Sequence, residues 1–171
     1  MSDSEAMLNV AYETYEGSEM AKAYSTRHGI ESAAILTVHD DETSHLVFQY
    51  VAPKIEGKTV IEIGGGIGLL ALHLGTVAKR VYCIEANPIW SSTFIAVLLR
   101  DKPKNVSYLF GSADEFAGQI KGDVALFCAH SGIKAMREAA AMFAPVVIDV
   151  YGDLIAENPA AFDSFARTMR S

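Results

Sequence analysis

The chain has 171 residues, a length typical of one domain with a substantial hydrophobic core. Half of its residues are hydrophobic and 20% are charged, a composition that excludes a largely disordered chain. The formal net charge of −7 argues against a nucleic-acid substrate, because an acidic protein is not drawn to a phosphate polyanion.

The N-terminus, MSDSEAM, lacks the basic start and apolar core of a signal peptide. No uninterrupted stretch approaches the roughly 18 to 20 apolar residues of a membrane span. Cys83 and Cys128 both lie in apolar segments, which is typical of reduced thiols. We therefore predict a cytoplasmic protein without a membrane segment.

Two helical segments precede the first strand, over residues 4–24 and 44–53, with an acidic link at residues 40–42 between them. Ser44 is the predicted N-cap of the second helix, and Leu46, Val47 and Tyr50 are predicted to share one side of it. Tyr12, Tyr15 and Tyr24 are predicted as packing residues of the first helix.

From residue 59 onward, short aliphatic runs alternate with longer helix-like stretches, a pattern that predicts a parallel sheet covered by helices on both faces. The five predicted strands are residues 59–63, 80–84, 106–110, 123–127 and 146–150. The clearest predicted helices are residues 69–78, 89–100 and 133–143, while residues 114–121 make only a turn or two.

The last 21 residues have room for a single helix, predicted over residues 158–170 from Pro159 and the stripe of Phe162, Phe165 and Met169. A fifth strand at the sheet edge would present unpaired backbone groups. We predict that a second subunit, forming a homodimer, or the 158–170 helix covers this edge.

The stretch VIEIGGGIGLL, residues 60–70, places glycines between a predicted strand and a predicted helix. A glycine turn lets backbone approach a ligand closely because glycine has no Cβ. The dinucleotide fingerprint G-x-G-x-x-G fails here, since Leu69 stands where a small residue is needed. A tight turn without a ligand is the structural alternative.

The pattern E-x-G-x-G-x-G instead comprises Glu62, Gly64, Gly66 and Gly68, with Gly65 between them. It resembles motif I of the class I S-adenosylmethionine-dependent methyltransferases. The resemblance implies an α/β fold, Rossmann-like and doubly wound, with a mainly parallel sheet. Members of the family usually continue past strand five with a helix and an antiparallel strand pair, but only 21 residues remain here, so we predict a sheet shortened after strand five. The resemblance also implies one domain, with residues 1–57 as a helical extension or lid and residues 58–171 as the core. In that family the acidic residue helps fix the cofactor's amino group.

Two further segments match the same family. Glu85, followed by Ala86, lies 21 residues after Gly64, where the resemblance implies hydrogen bonds to both ribose hydroxyls. The segment GSADEF resembles the adenine loop, which implies adenine contacts from Ser112, Ala113 and Asp114, although many members have Asp where Ser112 stands. An acid at the Glu85 position also occurs in NAD-binding proteins.

The segment FCAHSG follows the fourth strand, where methyltransferases of this fold line the transferring methyl. Cys128 is a candidate cofactor contact there rather than a nucleophile, because a Cys that ends a buried strand usually packs as a small hydrophobe. His130 is the candidate catalytic base, since an imidazole titrates near neutral pH. A capping or packing role for His130 is the alternative.

The stretch HDDETSH, residues 39–45, contains residue types that bind metals, but no thiolate pair accompanies them, so we predict no metal site. The three N-terminal tyrosines have a second interpretation as part of a lid over the active site, as in similar small-molecule methyltransferases.

The resemblance implies methyl transfer from S-adenosylmethionine, with S-adenosylhomocysteine as product, to an O or N acceptor. The amino-methyltransferase signature Asn/Asp-Pro-Pro-aromatic and the double-glutamate loop of arginine methyltransferases are both missing. The predicted acceptor is a small molecule, although a protein side chain stays open. The alternative is a regulatory or partner subunit that binds the cofactor without turnover; a third hypothesis, an NAD-dependent oxidoreductase, is disfavoured by Leu69.

Overall fold

The computed structural model describes residues 41–87, 90, 94–95, 98–99, 101–129 and 132–157. Its elements in chain order are α1 (Asp41–Ile55), β1 (Thr59–Ile63), α2 (Leu69–Leu74), β2 (Arg80–Glu85), β3 (Val106–Phe110), α3 (Ala113–Phe116), β4 (Val124–Phe127), α4 (Ile133–Ala141), β5 (Val146–Asp149) and α5 (Val150–Glu157). The described positions 90–101 between β2 and β3 are also helical. The helices predicted over 4–24 and 158–170, with the three tyrosines, lie outside the described residues.

The five strands form one sheet in the order β3-β2-β1-β4-β5, and every pair is parallel. The chain moves outward from β1 through β2 to β3, then returns to the other side of β1 to form β4 and β5. In open α/β sheets, ligands bind outside the carboxyl ends of the strands where this reversal occurs. This rule points to the carboxyl ends of β1 and β4 as the place where a ligand would bind.

Both faces of the sheet are covered. On the first face, Val60 and Val81 pack in one cluster with residues of α1 and α2. On the second face, Ile61 and Phe127 pack in a second cluster with residues of α4. Because successive residues of a strand point to opposite faces, nearly continuous aliphatic strands can serve both clusters. The predicted doubly wound α/β class is confirmed.

Helix α1 begins at or before Asp41, so the prediction of Ser44 as its N-cap is wrong. Ser44 lies inside the helix and is fully buried. Residues 41 and 42 of the acidic link belong to this helix.

The buried stripe of α1 also differs from the predicted one. Val47, Val51 and Ile55, spaced four residues apart, are completely buried, whereas Leu46 is 40% exposed. These three side chains belong to the same cluster as the strands of the first face. The described part of the N-terminal extension is therefore integral to the core.

Several element boundaries differ from the predicted ones, including the ends of α2 and β5. Helix α2 ends at Leu74 rather than at residue 78, because Gly75 caps it and the chain then turns, with Thr76 Oγ donating to the His73 carbonyl. Val150 belongs to α5 rather than to β5. Asp149 starts that helix as its N-cap, since its Oδ1 accepts the Gly152 N–H at 3.2 Å.

The edge of β5 that faces away from β4 is where a second subunit or the 158–170 helix is predicted to pack. β5 pairs with β4, and no strand among the described residues pairs with its other side. Cover by a second subunit or by residues 158–170 stays a prediction. Near the end of α5, Glu157 accepts from Lys54 Nζ of α1 through both oxygens at 3.1 Å, which joins the two helices. None of the described helices is long and apolar enough to cross a bilayer.

Candidate functional site

The glycine turn, defined as residues 64–68, connects β1 to α2 at the carboxyl edge of the sheet. Gly64, Gly66 and Gly68 have positive φ angles of 75°, 57° and 80°. Side chains with a Cβ rarely adopt this region, so these positions need glycine for the path of the chain itself. The turn lies beside the reversal of strand order.

The N–H groups of the four glycines in the turn are used within the protein. The N–H groups of Gly64 and Gly65 donate to the Ile84 carbonyl at 2.9 and 3.2 Å, and that of Gly68 donates to the Gly65 carbonyl at 2.9 Å. The Gly66 N–H donates to Glu85 Oε2 at 2.8 Å. Phosphate-binding loops present such donors to their ligand. This turn is therefore not arranged as a pyrophosphate cradle.

Two of the glycines are also required because side chains of the protein pack directly against them. A Cβ at Gly65 would overlap Cys83 Sγ and come within 3.2 Å of Glu62 Oε2. A Cβ at Gly68 would overlap the ring of Phe94, which is fully buried. At these two positions, glycine allows the turn to pack closely on the protein's own side chains, a role that the sequence analysis did not distinguish from ligand approach.

Glu62 lies on the first face of β1, next to Cys83 in the register of β1 and β2, and its residue is 4% exposed. Its Oε2 has no hydrogen-bond partner among the described residues. Burial raises the pKa of Glu62 to about 8, with Cys83 lowering it and the charge of Glu85 raising it further. The structure thus holds a buried carboxyl group with an unsatisfied oxygen directly below the glycine turn.

Glu85 ends β2 on the same face as Glu62, so the two carboxyl groups flank the turn together. It is 8% exposed, and its Oε1 accepts the Asn87 N–H at 2.6 Å while its Oε2 accepts that of Gly66. Burial raises the pKa of Glu85, and the backbone N–H groups of Asn87, Gly66 and Ala86 lower it. The carboxylate retains acceptor capacity for a further donor. Ala86 is partly exposed beside it.

The predicted adenine loop leads from β3 into α3. Glu115 braces this loop, because its Oε2 accepts the Ser112 N–H at 2.6 Å and the Ser112 hydroxyl at 3.3 Å. The Ser112 oxygen can still accept a hydrogen bond while it donates to Glu115. Ala113 is half-buried and Asp114 is exposed at the start of α3. These three residues follow Phe110, which lies beside Glu85 in the register of β2 and β3.

Cys128 lies just beyond β4, partly buried and packed against the first-face cluster. Burial, with smaller contributions from Glu62 and Asp149, raises the pKa of the Cys128 thiol well above its usual range. A protonated thiol is a poor nucleophile, which agrees with its interpretation as a packing or cofactor-lining residue. His130, the predicted base, and Ser131 lie outside the described residues, so the catalytic assignment stays a prediction.

The sequence analysis missed Tyr108 and Phe94. Tyr108 donates from its hydroxyl to the Gly66 carbonyl at 3.2 Å, and its ring stacks on Phe94 with centroids 4.0 Å apart. The available signal was the strand period of two, which places Tyr108 of β3 on the same face as Cys83. The contact between Phe94 and Gly68 has no signal in the sequence.

No family model matches this sequence. Its structure is similar to that of a Pyrococcus horikoshii protein provisionally described as an RNA methyltransferase, with a TM-score of 0.52, 21% identity, and coverage of 61% of this chain and 55% of that one. It is also similar to precorrin-6y C5,15-methyltransferase from Geobacter metallireducens, with a TM-score of 0.54, 13% identity, and coverage of 63% and 58%.

A third similar structure is coclaurine N-methyltransferase, solved with N-methylheliamine and S-adenosylhomocysteine bound. Its TM-score is 0.51, at 15% identity, with coverage of 64% of this chain and 35% of that one. The present chain spans 55 and 58% of the first two similar structures. At these identities the similarity establishes the fold. The chain has the Rossmann-like fold of class I methyltransferases, which confirms the fold implied by the motif resemblance.

Proposed function

We propose that this chain binds S-adenosylmethionine and transfers its methyl group to an O or N acceptor. The observation that supports the proposal most strongly is Glu62, a buried carboxyl group whose Oε2 has no partner among the described residues and lies directly below the glycine turn. A buried unsatisfied oxygen is costly in a folded protein unless a ligand uses it. An ammonium group is the natural partner for a carboxylate in this position.

The residues present fit the cofactor part by part. Glu62 would accept from its amino group, directly or through water, and Glu85 would accept from the ribose hydroxyls with its remaining lone pairs. Ser112, Ala113 and Asp114 would contact the adenine. The internally bonded N–H groups of the glycine turn favour a cofactor without phosphates and argue against a dinucleotide.

The bound cofactor supplies a methyl group on a positively charged sulfur, which makes the methyl electrophilic. The protein then has to hold an acceptor lone pair in line behind that methyl, and such positioning provides much of the acceleration. Cys128 would line this region as a neutral thiol. His130 would accept a proton from an acceptor hydroxyl or amine as the new bond forms.

The proposed acceptor is a small molecule. A formal net charge of −7 disfavours a polyanionic acceptor such as a nucleic acid. Cytoplasmic location and completion of the acceptor region by a second subunit at β5 are further parts of the proposal.

The test is titration calorimetry with S-adenosylhomocysteine on the wild type, Glu85→Gln and Glu157→Gln. Glu85→Gln should weaken binding at least about 10-fold, because it removes charge-assisted hydrogen bonds worth roughly 1.5 to 3 kcal/mol each. Glu157→Gln makes the same chemical change at a remote, exposed position of α5 and should leave binding unaltered. Absence of binding to the wild type, or tight binding of NAD instead, would refute the proposed function.

A methylation assay distinguishes an active methyltransferase from the second candidate function, a regulatory subunit that binds the cofactor. Many class I members have an aspartate at the position of Ser112, and here Ser112 is hydrogen-bonded to Glu115. This difference favours the second candidate, a subunit that binds the cofactor without turnover. Methyl transfer from radiolabelled S-adenosylmethionine to a panel of hydroxyl and amine acceptors should be detectable and should fall in His130→Ala. Cofactor binding with no transfer to any acceptor would favour the regulatory subunit.

A further inference from the structure

The two peptide groups on either side of the Gly66 Cα are held from two strands. The Gly66 N–H donates to Glu85 Oε2 of β2 at 2.8 Å, and its carbonyl accepts the hydroxyl of Tyr108 of β3 at 3.2 Å. Gly66 is buried and has a φ of 57°. With both of its flanking peptide groups held, Gly66 has little freedom in φ and ψ, so the position of Glu85 is coupled to that of Gly66.

Tyr108 is itself held in place. Its ring stacks on the fully buried Phe94, with an interplanar angle of 21°, and Phe94 fills the space directly below Gly68. The Tyr108 side chain lies beside Cys83 in the sheet register, and burial raises its pKa above its usual range. The phenol therefore stays protonated and available as a donor. The two rings support the glycine turn from below at Gly66 and Gly68.

From this arrangement we propose that Tyr108 is a positioning residue for cofactor binding, which acts through the Gly66 peptide to orient Glu85 toward the ribose. The inference rests on the proposed function and adds to it a residue of β3 that belongs to none of the three matched motifs. Tyr108 does not touch the cofactor in this proposal. Its effect is confined to the ribose and should be the same for any ligand that carries one.

The first experiment compares Tyr108→Phe with Tyr82→Phe, using S-adenosylhomocysteine and 5′-methylthioadenosine, which has the ribose but lacks the amino-acid part. Tyr82 is a matched control, because it lies on the other face of β2 beside Arg80. Tyr108→Phe should weaken binding of both ligands by about 3- to 10-fold, the loss of one hydrogen bond. Tyr82→Phe should leave both affinities unchanged.

A double-mutant cycle tests whether the effect of Tyr108 on binding depends on Glu85. If Tyr108 acts through Gly66 on Glu85, the loss in Tyr108→Phe should largely disappear in a Glu85→Gln background. Glu62→Gln should weaken S-adenosylhomocysteine and spare 5′-methylthioadenosine, and its effect should add to that of Tyr108→Phe. Full additivity between the Tyr108 and Glu85 substitutions would overturn the inference.

A measurement without ligand keeps this inference distinct from the proposed function. Amide hydrogen exchange at Gly66 in the free protein should be about 3- to 10-fold faster in Tyr108→Phe than in Tyr82→Phe, with exchange in β1 and β4 unchanged. If the wild type binds neither ligand, the proposed function fails and this inference fails with it. If the wild type binds while Tyr108→Phe matches Tyr82→Phe in affinity and exchange, only the role of Tyr108 is refuted.

Discussion

Replacing Gly68 with Ala is expected to destabilise the fold by roughly 2 to 5 kcal/mol. Two effects combine at this position. Gly68 has a φ of 80°, where a side chain is strained, and the new Cβ would overlap the Phe94 ring in the core. Phe94 cannot move away freely, because it is stacked on Tyr108. The free energy of unfolding, measured by urea denaturation, checks the prediction.

Gly118→Ala is the matched control for this substitution. Gly118 has a φ of 81°, nearly the same as that of Gly68, but a Cβ there would meet no atom within 4 Å. Its cost should be limited to backbone strain, about 1 to 2 kcal/mol. Equal destabilisation by the two substitutions would show that the Phe94 contact is unimportant and that the glycine turn can shift away from the core.

The stability of the unliganded protein should fall as the pH rises from about 5 to 9, and Glu62→Gln should make this fall smaller. Burial raises the pKa of Glu62 from 4.5 to about 8, so in this interval the folded state holds a proton that the unfolded state has lost. Stability decreases with pH wherever the folded state binds more protons. The contribution of Glu62 is complete below its unfolded pKa and is lost as the pH rises through about 8.

The measurement is the free energy of unfolding of the wild type and Glu62→Gln at one-unit pH intervals from 5 to 9. The difference between the two proteins should change in favour of Glu62→Gln by up to several kcal/mol across the series, since one pH unit corresponds to about 1.4 kcal/mol. Glu157→Gln controls for loss of an exposed carboxylate. Parallel curves for the wild type and Glu62→Gln would mean that Glu62 is already ionised in the folded protein.

The sheet was predictable because buried parallel strands are aliphatic on both faces. Strands β1 and β3 have the predicted bounds, and β2 extends by only one residue to Glu85. Helix ends were harder to predict, because several neighbouring residues could each begin or end the helix. Ser44 has the chemistry of an N-cap, yet the acidic residues before it also support helix, and the core buries Ser44 inside α1. Asp149 is both the last residue of β5 and the N-cap of α5, a role that was not predicted from the sequence.

The sequence also predicted which residues surround the glycine turn but not how they divide their roles. Glu62 and Glu85 lie on one face, because the register pairs Glu62 with Cys83 and Glu85 is two residues beyond Cys83. A Cβ at Gly65 would overlap Cys83, and a Cβ at Gly68 would overlap Phe94. Both overlaps depend on distances between elements that are remote in the chain. Tyr108 was missed for the same reason, since its contact with Gly66 joins residues that are 42 positions apart.

The four glycine N–H groups of the turn already donate to acceptors within the protein, and this affects which ligands can compete for the site inside a cell. Adenine nucleotides with several phosphates are abundant there, and any adenosine site must be protected from them. A polyphosphate placed over residues 64–68 would find the donors of Gly64, Gly65, Gly66 and Gly68 occupied and two acidic side chains close by. The same hydrogen bonds that shape this turn would therefore leave these four N–H groups unable to bind the phosphates of ATP.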